Sequence, residues 1–497
     1  MTRIPTRKTR LSALALAVSI ALLGTACSAT SDSGGSSAAA GADQQAASDF
    51  ARGLGDKIAA HWPHVAKVWP GTDDSDHVAV LFHLDDKGEI VTAFAVDTSG
   101  TRELTDSERT GLTPPPPGGY SPSEFGGKPA VLLAVDAQQM QDDPRAEELY
   151  LLATHELVHF YHQGEVAFDG GEARAQNYPI DARPRVLREM TYDSLVKAAE
   201  NPAAAANHLA HAKHWHEQWK KEFGDEYAAI KTTEIVEGHA RYLENLADIQ
   251  TGETTPEQVQ AEAVKRIRKG TVLGSADAES YGIGYVAALL LDRQNPEWKK
   301  DFLAGGATFT DKLMEKVAPA AQDVDPKIEK SVTGSISKLN DEIRTAIEPL
   351  TTALKDTSVP YLRIDTSQFE GSYGGEHFIV VDGREVTTGF SNTYPTDGGD
   401  IRIDRAAVMP SEAEVTVPLP KDAKFADGKL TVDDNGVSAD AVPAEKTTDA
   451  DGRTVYTVTA TGGGQHSGSE RSLPFGSLGI HTSGAGVGSD HVDEPSG

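Results

Sequence analysis

His155 and His159 stand four residues apart in the run Thr154-His155-Glu156-Leu157-Val158-His159. On an α-helix that spacing sets both imidazoles on one face, where they can reach a single metal ion. Neutral imidazoles are good ligands for Zn²⁺. Glu156 follows the first histidine directly, which places a carboxylate beside the ion without making it a ligand, in position to take a proton from water. The flanks predict a helix from about Pro144 to His162: Asp143-Pro144 is a start signal with Pro at the first helical position, and Leu149, Leu152, Ala153, Leu157 and Phe160 recur at helical intervals. An amphipathic core helix with two satisfied histidines is the plainer alternative, but it would bury Glu156 for no return.

A third ligand is needed for a metal site, and Glu234-Ile235-Val236-Glu237-Gly238-His239-Ala240 supplies candidates. H-E-x-x-H followed downstream by E-G-x-A resembles the gluzincin metallopeptidases, in particular the peptidase-MA-like group. The resemblance covers residues 46–320 and implies that Glu237 is the third zinc ligand beside His155 and His159. Glu234, one turn earlier on the same face, competes for that role. Small residues at Gly238 and Ala240 would let this second helix approach the first. Some gluzincins place an Asp four residues after the ligand Glu to orient a histidine; here that position is Arg241, so the partner of the ligand histidines is unassigned.

The family likeness further implies an α+β, zincin-like two-lobe catalytic domain, with a small β-sheet lobe, an active-site helix and a helical lobe. Its activity would be hydrolysis of peptide bonds, with Glu156 as general base and a donor for the oxyanion among Tyr281, Tyr285, Tyr242 and His239, Tyr281 being favoured. No G-x-M-E-N stretch of the aminopeptidase kind occurs, which favours an endopeptidase. The rival from another class is a catalytically silent, lipid-anchored binding or scaffold protein that keeps the fold. A zinc hydrolase acting on something other than peptide also satisfies the motif.

The N-terminus speaks to location. Arg3, Arg7, Lys8 and Arg10 precede the apolar run Leu11 to Leu23, and Gly24-Thr25-Ala26-Cys27 is a small-residue cleavage site. Residues 1–26 therefore read as a signal peptide. Cys27, the sole cysteine, sits where bacterial lipoproteins carry their lipidated residue. The expected product is an exported cell-surface lipoprotein held to the membrane by its lipid anchor alone, or else a secreted protein, with no disulfide. A formal charge of −29 disfavours nucleic acid and anionic membrane as partners. A peptide or protein substrate is compatible with it.

Along the chain, residues 27–45 read as a flexible Ser/Ala-rich tether, and Ala47 to Val68 as an amphipathic helix with Phe50, Leu54, Ile58, His61 and Val65 on one side. His61 and His64 read as structural. His77 to His83 and Ile90 to Val96 flank a hairpin signature, and Ala130 to Val135 is a short apolar run. Gly164 to Pro184 reads as loop. Helices follow at Arg185 to Glu200 and Leu209 to Phe223, the latter carrying His208, His211, His214 and His216 in or beside it as surface or packing residues. Glu237 lies on a helix ending near Gly252. Residues 321–357 form a polar helical connector, and 358–462 a β-sandwich-like domain with turns at Asp382-Gly383, Asn435-Gly436 and Asp451-Gly452. The Gly- and Ser-rich tail 463–497, with His466, His481 and His491, is expected to be disordered.

Overall fold

The computed structural model describes residues 36–85, 88–115, 119–136, 149–164, 166, 175–252, 255–267, 270, 274–369, 375–411, 413–434 and 436–461. The expected signal peptide (1–26), Cys27, the Asp143-Pro144 start signal and the expected tail (463–497) lie outside them. Helix and sheet are mixed, and they segregate along the chain into a sheet, a helical block and a second, larger sheet. That is an α+β protein.

The first helix, α1 (Ser36–Val68), begins inside the stretch expected to be a tether. The correction has a simple cause: residues 36–45 are rich in Ala and Gln, which favour helix, and the amphipathic segment behind them gives a helix to extend. Leu54, Ile58, His61 and Val65 are buried, as the helical spacing required. They press on a five-stranded sheet built from β1 (Val78–Leu84), β2 (Ile90–Asp97), β3 (Gly100–Glu103), β4 (Tyr120–Phe125) and β5 (Lys128–Asp136). The order is β3-β2-β1-β5-β4, with β1 and β5 parallel and the other pairs antiparallel. Period-two alternation divides the central strands cleanly: Ala79, Leu81, Phe94, Val131 and Leu133 join the main core under α1, while Val78, Val80, Phe82, Leu132 and Ala134 form a smaller cluster on the opposite face. Among the described residues β4 is an edge strand.

Next come α2 (Leu149–Leu157), a π-helical turn (Val158–His162) and a two-residue strand β6 (Gln176–Asn177). The helical block follows with α3 (Ala182–Glu200), α4 (Ala205–Glu222), α5 (Gly224–Gly252), α6 (Pro256–Lys265), α7 (Ala276–Gln294) and α8 (Phe309–Leu313). α5 and α7 cross at a glycine pair. A Cβ on Gly238 would lie 2.9 Å from Gly284 Cα, and one on Gly284 would lie 2.6 Å from Gly238 Cα. Gly238 therefore serves the approach of α7, not that of the H-E-x-x-H helix as the motif suggested. Ala240 is fully buried in the same core.

The expected connector consists of α9 (Pro326–Ala346) and α10 (Glu348–Lys355). It is more than a spacer: Val332, Ile336, Ile343 and Leu350 share one apolar cluster with Leu187, Trp215 and Trp219 of the helical block and with Ile379, Val381 and Val386 of the sheet beyond. β6, in the expected loop, adds a second tie by pairing in parallel with β8 (His377–Val381). The second sheet also contains β7 (Tyr361–Asp365), β9 (Arg384–Thr396), β10 (Gly399–Pro410), β11 (Glu414–Pro418), β12 (Lys424–Ala426), β13 (Lys429–Asp434), β14 (Val437–Pro443), β15 (Glu445–Thr448) and β16 (Thr454–Thr459). Long β10 pairs with β9 and β14 along one stretch and with β11 along another, and Phe390, Ile401, Val415, Leu430 and Val458 meet in one core.

Candidate metal centre

α2 is fixed at several points before it delivers its histidines. Trp62 Nε1 of α1 donates to Thr154 Oγ1 at 3.1 Å, and the Tyr150 hydroxyl donates to Asp248 Oδ1 on α5 at 2.6 Å. After His155 and Glu156 the helix widens into the π turn that carries His159 and His162. Such local widening often marks a functional position, because it re-aims side chains that a regular helix would hold in step. At its end, the Tyr161 hydroxyl donates to the Ser123 and Ala130 carbonyls, fastening the turn to β4 and β5.

α5 brings Glu237 opposite. Its Oε2 lies 3.2 Å from His155 Nε2 and 3.3 Å from His159 Nε2, and all three groups are buried. Two donors on one tetrahedral ion at about 2.0–2.1 Å stand about 3.3 Å apart. The described side chains therefore already have the spacing that a single ion imposes, and His155, His159 and Glu237 form one of two groups able to hold a metal ion among the described residues. Glu234 is not in this set; it accepts from the Thr310 backbone at the start of α8, at 3.3 Å.

The outer nitrogens are taken. His155 Nδ1 lies 2.9 Å from Glu244 Oε2, and the other oxygen of Glu244 accepts from Arg241 Nη1 at 2.7 Å and from Asn245 Nδ2 at 3.2 Å. Arg241, which stands where a family Asp was looked for, thus acts through the Glu two turns beyond Glu237. Burial favours a neutral Glu244, but Arg241 and His155 outweigh it and hold its pKa below the usual carboxylate range. His159 Nδ1 lies 2.8 Å from Gln163 Oε1, whose amide nitrogen reaches the Val236 carbonyl at 2.7 Å and His239 Nδ1 at 3.2 Å. That amide orientation leaves the His159 proton on Nδ1 and a bare lone pair on Nε2, which has no hydrogen bond of acceptable geometry.

A lone pair facing a carboxylate needs a cation between them. With no ion, a proton serves: burial works against a charged His155, yet Glu244 and Glu237 on its two sides raise its pKa to about 10. Burial likewise opposes charge on Glu237, but His159 and His155 bring its pKa far below the ordinary carboxylate value. The donor set fits a divalent metal.

No family model, curated protein or solved structure matches this chain. The arrangement has to be read on its own chemistry.

Glu156 is fully buried, and neither carboxylate oxygen has a hydrogen bond of good geometry. Burial pushes its pKa well above the usual range and Glu237 and Glu244 add to the shift, while His155 and the Tyr120 hydroxyl of β4 pull the other way. A carboxyl raised in this manner holds a proton more readily than an ordinary glutamate, as perturbed groups at functional sites often do. Among the tyrosines weighed from sequence, Tyr281 lies flat on His155, with ring centroids 5.9 Å apart and planes 8° from parallel. Tyr242 donates to Asp292 at 2.5 Å and Tyr285 to the Ala263 carbonyl at 3.1 Å, so both are engaged elsewhere. His239 is kept neutral, mainly by burial, with its pKa lowered to about 3, and it meets the amide of Gln163, the partner of His159. Sequence reading missed Glu244, Gln163 and Tyr120. The first two had a signal, since they fall on the faces of Glu237 and His159 at helical spacing.

His216 meets Asp311 at 3.0 Å and His214 meets Gln218 at 3.1 Å, in keeping with packing and surface roles for that histidine-rich helix.

Proposed function

We propose that this protein is a zinc-dependent peptidase of gluzincin type, in which His155, His159 and Glu237 hold the ion and Glu156 is the general base. The observation that carries the reading is the convergence of two Nε2 atoms on one buried carboxylate oxygen beside a buried carboxyl that has no hydrogen-bond partner of good geometry. Zinc, when bound, supplies Lewis acidity toward a carbonyl and toward water. Glu156 takes a proton from the attacking water and returns it to the departing amine; its raised pKa suits both halves of that exchange. Tyr281, stacked on His155, donates to the oxyanion. The resemblance carried by H-E-x-x-H and E-G-x-A supports the same roles and a zincin-like division into a β lobe and a helical lobe around α2.

Substrate geometry follows from the edge strand. Among the described residues β4 is paired on one side only, to β5, and it begins at Tyr120 beside Glu156. An extended peptide adding to that edge would run past the catalytic carboxyl, with backbone hydrogen bonds supplying affinity. The sequence features around Cys27 support an exported protein held by a lipid anchor, or else a secreted one. Among the described residues no helix is long and apolar enough to cross a membrane.

The test is cleavage of a mixed peptide library by the chain starting after Ala26, read by mass spectrometry. Cleavage should vanish on stripping with chelator and return with zinc. Cleavage that persists in the stripped protein, or none from zinc-loaded protein, defeats the proposal. Glu244→Ala should weaken zinc binding by about 10–100-fold without removing a ligand, because His155 loses the acceptor that fixes its ring. Competition with a chromophoric chelator measures it; unchanged affinity would deny Glu244 that role.

A further inference from the structure

A second group of donors lies at the far end of the π turn and takes no part in the chemistry above. Asp74 and His77 sit in the connection between α1 and β1, and His162 ends the turn that carries His159. Asp74 and His77 are 1% and 9% exposed, and the His162 side chain 11%. Asp74 Oδ1 lies 2.6 Å from His162 Nε2, and the rings of His77 and His162 are 5.4 Å apart. One ligand atom from each residue falls within 4.8 Å of the others.

An ordinary Asp74–His162 ion pair accounts for only half of this cluster. It leaves Asp74 Oδ2 and His77 Nδ1 buried with no hydrogen bond. Each such orphan costs about 1–3 kcal/mol. Both belong to side chains at least nine-tenths buried and both belong to the same three-residue group, so one cation would satisfy them together. We propose that Asp74, His77 and His162 form a second divalent-metal site, which clips the α1–β1 connection to the end of the H-E-x-x-H helix.

The donors set the class of ion. Two imidazoles and one carboxylate suit zinc and its neighbours cobalt, nickel and copper, whereas calcium and magnesium prefer oxygen ligands throughout. Loading opens the Asp74–His162 pair from 2.6 Å toward the separation of about 3.3 Å expected of two ligands on one ion. The clip is independent of the peptidase reading, since none of its residues touches the reacting atoms. Its role is to hold the turn that positions His159.

The experiment is zinc titration of chelator-stripped full chain, followed by calorimetry and by elemental analysis after desalting, on wild type, His77→Gln, His159→Gln and the double variant. Two ions per wild-type chain, one in each single variant and none in the double establish the site. One ion in wild type, retained by His77→Gln and lost by His159→Gln, overturns the second site and keeps the first. The reverse pattern keeps the second site and overturns the zinc reading of the first. No ion in wild type overturns both. Uptake of one ion at wild-type affinity shows that His77→Gln is folded; should it not fold, Asp74→Asn takes its place with the same expected loss. A second site that fills only at millimolar zinc counts as an ordinary ion pair and overturns the proposal.

Discussion

Glu156→Gln should lower peptide cleavage by about 10²–10⁴-fold, the usual contribution of a positioned general base, while leaving metal content at the wild-type value. Glutamine has the same shape but cannot hold the proton, and Glu156 is not one of the converging donors, so binding and chemistry separate in this variant. The same substitution should leave the protein as stable or more so. Glu156 is fully buried, with burial raising its pKa and two carboxylates adding to the strain, so a neutral amide relieves a cost that the folded chain carries. Activity and stability thus move in opposite directions, as expected where a group is kept for function. Cleavage rate, zinc content and thermal unfolding would be read on one preparation. Full activity in the variant removes Glu156 as the base; lost activity with lost zinc makes it a structural residue instead.

The site was legible in the sequence as far as local spacing reaches. His155 and His159 are positioned by helical period alone, and Glu237 entered through the resemblance, with Glu234 left open because both lie on one face. The structure separates them by what each meets: Glu237 faces two imidazoles and Glu234 faces the start of α8. Gly238 shows the limit. Its small size was readable, but the surface it serves belongs to Gly284 on another helix, and only tertiary packing names that partner. The same holds for His162, which the fold brings from another segment to the Asp74 and His77 of the α1–β1 connection. In the C-terminal half, long β9 and β10 escaped notice because register shifts interrupt their alternation. The shared core of α9, α10 and β8 was hidden for a different reason: a polar amphipathic helix reads alike whether it spans a gap or packs on a sheet.

Arg188→Met should destabilise the fold by about 3–5 kcal/mol, the cost of breaking a buried, hydrogen-bonded ion-pair cluster by removing one of its members. Arg188 is 2% exposed; its Nε donates to Glu279 Oε2 at 2.7 Å, its Nη2 reaches the Ala276 carbonyl and Ser280 Oγ, and its guanidinium lies 4.4 Å from the Trp219 ring centre. Methionine fills similar space but leaves fully buried Glu279 with Arg185 alone, at 3.5 Å. The loss should depend on pH with a definite sign. Burial raises the Glu279 pKa to about 7 against the two arginines, so between its unfolded value near 4.5 and 7 the folded chain binds a proton that the unfolded chain does not. Stability from this group therefore falls as pH rises through that window. Without Arg188 the folded pKa climbs further, so the deficit should be larger at pH 8, where wild-type Glu279 is charged and paired, than at pH 5.5, where Glu279 carries a proton in both chains. Urea unfolding at the two pH values measures it, and Arg188→Met with Glu279→Gln should recover part of the loss at pH 8. Equal deficits at both pH values would show that packing on Trp219, not the ion pair, is what Arg188 contributes. The consequence reaches the metal centre, because Glu279 and Ser280 immediately precede Tyr281 on α7. An arginine that holds this turn of helix against α3 also fixes the ring stacked on His155, so the variant's residual folded fraction should cleave more slowly without losing its zinc.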